Sequence, residues 1–96
     1  MTKKLLKIKK AIEQLEEIDK LTLDARKTIK LNREYIKGLK EELSWKKHNN
    51  SFLESIASTQ NRIDDLRSES IWNREWIKEV KVEKQDIKNT LKVFLK

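Results

Sequence analysis

The sequence predicts an all-α protein folded as an antiparallel two-helix coiled-coil hairpin, and three observations carry that prediction. Proline is absent and Gly38 is the sole glycine, so the punctuation of a many-turned domain is missing. Charged residues make up 41% of the chain against 36% apolar, a balance suited to long helices around a narrow seam. The apolar residues recur on a seven-residue template in two separate runs, the spacing of helices that face one another. The expectation is one helical-hairpin domain over residues 1–96, with a helix over about 3–46, a turn over about 47–51 and a helix over about 52–95.

The first register runs through Ile8, Leu15, Thr22, Ile29, Ile36 and Leu43, with Ala11, Ile18, Ala25, Asn32 and Leu39 at its companion position. It reads as one long helix. The stretch KLTLDAR contains Thr22 and Asp24, weaker helix formers that compete for backbone hydrogen bonds, and offers an alternative in which helix one breaks there and joins a three-helix bundle. The unbroken register favours the hairpin.

Between the runs lies KKHNNSFLE. Asn49 and Asn50 tolerate turn conformations, and Ser51 stands three residues before Glu54, the capping-box spacing, so helix two is expected to start at Phe52. The second register follows through Ile56, Ile63, Ser70, Ile77, Lys84 and Leu91, with Phe52, Thr59, Leu66, Asn73, Val80, Ile87 and Phe94 as companions. Folding back at the turn then pairs Leu43 with Phe52, Leu39 with Ile56, Ile29 with Leu66, Ile18 with Ile77 and Ile8 with Ile87. The same register sets Thr22 against Asn73 and Ala25 against Ser70, a soft middle whose polar layers fix register and partner choice at some cost in stability.

The apolar residues missing from that middle reappear beside it. Leu21, Tyr35, Ile71, Trp72 and Trp76 form the candidate protein-binding surface, because exposed aromatic and aliphatic patches mark contacts and Trp and Tyr dominate binding hot spots. A second copy would bury the patch in a four-helix bundle, and a foreign helix would do the same work. A third reading keeps Trp76 structural, packed on Leu21 and neighbouring Lys and Arg stems.

The net charge is +7, and nearly all of the excess lies before His48. Lys3, Lys4, Lys7, Lys9 and Lys10 crowd the start of helix one, and the hairpin is expected to bring Lys84, Lys88, Lys92 and Lys96 beside them as a candidate anion-binding pole. Such a pole suits phosphates of nucleic acid. It equally suits a solvated coiled-coil end, and no base-reading element accompanies it. The start MTKKLLKIKKAIEQL also has the alternation of a basic amphipathic helix for an anionic membrane, although its apolar face is claimed by the hairpin core.

No catalytic signature is present, and the expectation is a non-enzyme without cofactor or metal. Cysteine is absent, His48 is the sole histidine and falls in the turn, and the neighbours Asp64 and Asp65, like Glu41 and Glu42, point to different helix faces. A two-helix seam is also expected to lack a pocket of a few hundred cubic ångströms. No apolar run reaches the ~20 residues of a membrane span, and the Lys-rich start lacks the apolar stretch of a signal peptide. A cytoplasmic protein is expected.

Trp45, Lys46 and Lys47, at the turn of a hairpin of this length, resemble the tryptophan motif of the WXG100 family and of the small helical partners of LXG effectors in type VII secretion. Lys47 stands where that family has glycine, and its tyrosine-based export motif has no counterpart after helix two. The resemblance implies a chaperone-like hairpin that bundles against the helical segment of an exported protein, with the Trp72 and Trp76 face as docking surface. Two function classes follow: a coiled-coil adaptor for a helical partner or itself, and a small basic nucleic-acid-associated protein.

Overall fold

The computed structural model describes residues 2–95. Two helices, α1 (Lys3–His48, 46 residues) and α2 (Leu53–Leu95, 43 residues), pack side by side in a body of 70 × 18 × 17 Å. At about 1.5 Å per residue, α1 alone accounts for the long dimension. It runs unbroken through Thr22 and Asp24, which removes the three-helix alternative. Burial on the seam outweighs the weak propensity of two residues.

Local chemistry sets both ends of α1. At its start Thr2 is extended, with φ −72° and ψ 154°, and its hydroxyl accepts from the Leu5 amide at 3.3 Å, as an N-cap does. At its end the Asn49 amide donates to the Trp45 carbonyl at 2.9 Å, and the Ser51 amide reaches back to Lys46 at 3.0 Å. Asn50 sits between them at φ 54°, the left-handed residue of a Schellman closure. The Asn49 side-chain amide also donates to the Trp45 carbonyl at 2.8 Å. Lys46, Lys47 and His48 occupy the last turn, at the negative end of the helix dipole.

This closure corrects three expectations. The Ser51 amide serves the end of α1, and α2 opens instead on Phe52, whose carbonyl accepts from Ser55 at 3.0 Å and Ile56 at 3.1 Å. Phe52 is therefore outside the helix and 88% exposed, without the predicted partnership with Leu43. Because α1 runs to His48, the fold-back point lies closer to α2 than the seven-residue template implied, and the pairing slips by one heptad. Ser70 faces Asn32 rather than Ala25. A heptad slip keeps every core position in the core, so the register pattern itself survives.

The seam is polar as well as apolar. Ile18, Ala25 and Leu43 are buried from α1, and Ile63, Ile77 and Val80 from α2, among the polar Asn32, Thr59, Ser70 and Asn73. Each polar group finds a partner, as burial requires. Asn32 donates from Nδ2 to the Ser70 hydroxyl at 3.3 Å and to the Leu66 carbonyl at 3.4 Å, and Asn73 donates to the Glu69 carbonyl at 3.0 Å. The Thr59 hydroxyl donates to the Ser55 carbonyl at 3.1 Å and accepts from Lys46 Nζ at 2.8 Å. Among the described residues no helix is long and apolar enough to cross a membrane.

Candidate functional site

A heptad fixes what stands on either flank of a two-helix seam, because each core residue has one neighbour on the left and one on the right. On one flank, Leu21 from α1 and Trp72 and Trp76 from α2 line a groove with Asp24, Ala25, Thr28 and Asn73. Its volume is about 360 Å³. Trp72 is 65% exposed, whereas Trp76, one turn on, is half-buried against the seam. Their separation is that of neighbours on a helix surface. Of the groove's lining residues Asp24 alone is charged.

Tyr35 and Ile71 do not join this groove. Tyr35 follows Leu21 along the same flank by two heptads and is 59% exposed. Ile71 lies on the other flank, in a recess of about 570 Å³ whose apolar floor includes Ile29 and Ile36. The reason is angular: adjacent residues on a helix stand about 100° apart, so Ile71 and Trp72 straddle the seam.

That second groove carries a charge pattern that reading along the chain does not expose. Its rim consists of Arg33, Lys37 and Lys40 from α1 with Arg67 and Arg74 from α2, and no carboxylate lines it. The ion pairs among the described residues are Lys46 with Glu42, at 3.1 Å, and Lys84 with Asp19, so all five rim cations stand outside them. Arg33 and Lys37 are like charges one turn apart, an arrangement that costs a helix about 0.2–0.5 kcal/mol. Both grooves are open to solvent and reach the size that the sequence was expected to exclude.

The cationic pole is partly rearranged. Lys3, Lys4, Lys7, Lys9, Lys10, Lys88 and Lys92 are exposed. Lys7 and Lys10 share their groove with Glu83 and Asp86, which offset some of the local charge. Lys84 does not join the pole: the heptad slip places it opposite Asp19, where it forms an ion pair. Lys96 lies outside the described residues. At the opposite end the turn presents an apolar tip of Trp45, Phe52 and Leu53, the last two 88% and 84% exposed. A core position for Phe52, as the heptad template implies, conceals that tip.

No group of three or more His, Cys, Asp or Glu side chains able to hold a metal ion occurs among the described residues. Comparison of the chain with protein-family models, curated proteins and solved structures returned no match.

Proposed function

We propose that this hairpin is a non-enzymatic, cytoplasmic coiled-coil adaptor whose Leu21, Trp72 and Trp76 side packs against a helix of a partner, either a second copy or another protein. The observation that supports this reading is the exposure of Trp72 in the same groove as Leu21 and Trp76. Two helices leave that side uncovered, and a third helix laid along it would remove the indole faces from water. Tyr35, further along the flank, extends the same contact. A chaperone-like role toward an exported helical protein, as the WXG100 resemblance implies, is one form of this reading.

The test is a tagged pull-down from the native host after nuclease treatment, comparing wild type with the Trp72→Ala, Trp76→Ala double variant. A partner lost from the variant alone, and retained by wild type at raised salt, supports the adaptor site. An unchanged partner set sinks it.

One observation favours the nucleic-acid reading: the first turn of α1 carries Lys3 and Lys4 with no acidic residue, at the positive end of the helix dipole. Binding there would fall steeply with salt and would be indifferent to Trp72 and Trp76.

A further inference from the structure

Among the described residues no carboxylate forms an ion pair with the rim cations of the Ile71 groove, and the complement to them stands on the hairpin's other flank. At seven-residue spacing, the first flank reads Asp19, Arg26, Arg33 and Lys40 on α1 and Arg67, Arg74 and Lys81 on α2, with Asp19 taken up by Lys84. The other reads Lys7, Gln14, Leu21, Thr28 and Tyr35 on α1 and Arg62, Glu69, Trp76 and Glu83 on α2. Around the Ile71 groove the first side is aliphatic and cationic, and beside Trp72 and Trp76 the other is aromatic with Asp24 and Glu69 as its charges. Charges of one sign on both helices of a seam repel, and an occupant that brings the opposite sign relieves that repulsion.

We propose that this occupant is a second copy of the chain, which seats its Leu21, Trp72 and Trp76 side in the cationic groove of its neighbour. The inference rests on the adaptor reading of that aromatic side and names its partner. Trp72 and Trp76 meet the floor of Ile29, Ile36 and Ile71, while Asp24 and Glu69 face the Arg and Lys rim. Nucleic acid is the poorer fit, because no aromatic side chain lines the groove to stack a base and phosphates gain nothing from an isoleucine floor. Pairing aromatic side with aromatic side is also the poorer fit. It sets Glu69 of two copies on one face and leaves both cationic grooves empty.

The contact is heterologous: each copy offers a different face to its two neighbours, so the assembly extends instead of closing as a dimer. Its electrostatic share is exposed and is screened within about 10 Å at 0.1 M salt. Salt therefore weakens the assembly, while the share that Trp72 and Trp76 contribute on the isoleucine floor persists, and growth is driven by concentration.

Complementation between two half-disabled variants tests this directly. One variant is Trp72→Ala, Trp76→Ala; the other is Arg33→Glu, Arg67→Glu, Arg74→Glu, with the corresponding Gln triple as a milder form should the reversal disturb folding. Circular dichroism checks helicity, and sedimentation velocity at low salt reads association. The expected result is growth of wild type beyond the dimer with concentration and loss of every species above monomer in each variant alone. An equal mixture of the two then recovers a dimer and nothing larger, because one productive pair of faces remains. Self-association of the Arg variant but not of the Trp variant would mean that the aromatic side pairs with itself; that overturns this inference and leaves the adaptor site standing. Association untouched by either set overturns it too, and removes the aromatic side from self-assembly. A wild type that stays monomeric at every concentration also overturns it, and a DNA duplex bound by wild type but not by the Arg variant would then assign the groove to phosphate.

Discussion

Asn32 reaches across the seam to Ser70, its Nδ2 3.3 Å from the hydroxyl, and the same amide touches the Leu66 carbonyl at 3.4 Å. The pair is buried from both sides, and it distinguishes the observed alignment from one slipped by a heptad, which would present Ala25 to Ser70. Asn32→Ala removes both bonds and leaves a small void. The expected cost is about 1–3 kcal/mol, read as a lowered urea midpoint. An unchanged midpoint would mean that the turn alone sets the alignment.

Ile63 is the most deeply buried large side chain, at 1% exposure. Ile63→Ala should cost about 2–5 kcal/mol, a large share of the stability of a two-helix seam, and helicity at room temperature should fall visibly. Ile12→Ala, at an exposed position of α1, should stay within about 0.5 kcal/mol. Equal effects at the two sites would contradict the seam described above.

The turn depends on Asn50 at φ 54°. Asn50→Gly should be neutral or stabilising by up to about 1 kcal/mol, since glycine adopts this conformation freely. Asn50→Val should cost about 1–2 kcal/mol because a β-branched side chain is strained there. Chemical denaturation with a constant m-value separates the two.

Trp72 contributes little to the isolated hairpin, since most of its surface is in water. Trp72→Ala should change monomer stability by no more than about 0.5 kcal/mol, measured by thermal unfolding at a concentration where the protein is monomeric, while Trp76→Ala, half-buried, should cost more. A large loss from Trp72→Ala would make that indole a member of the fold and weaken its claim as a docking residue.

The helices, their seam positions and the turn were legible in the sequence because each is written locally, in the spacing of Ile18, Ala25, Ile63 and Ile77 and in the two asparagines. The alignment of the two helices was not. Moving one helix past the other by seven residues changes no residue's inward or outward assignment, so the choice fell to the Ser51 and Lys46 closure, whose reach no periodicity records. The aromatic groove was partly legible, since Leu21 and Trp76 were already on one flank. Ile71 was misplaced beside Trp72 because neighbours in sequence are not neighbours around a helix. The Arg33 and Arg74 rim escaped for a related reason: charge counted along the chain concentrates at Lys3 to Lys10, while charge counted around the axis separates into two flanks.

Both helix ends remote from the turn, Lys3 and Leu95, lie at the same end of the rod, so a pull on them acts across the seam rather than along it. Under such tension the layers separate in succession, as a zipper opens, and the chain never has to shear its whole contact at once. Among the described residues the buried ones all fall between Ile18 and Val80, whereas Ile8, Ala11 and Leu91 nearer the open end are half-buried. The outer third therefore gives way at low load, well before the layer of Asn32 and Ser70 comes apart. A hairpin built this way lengthens by degrees under strain while its turn stays closed.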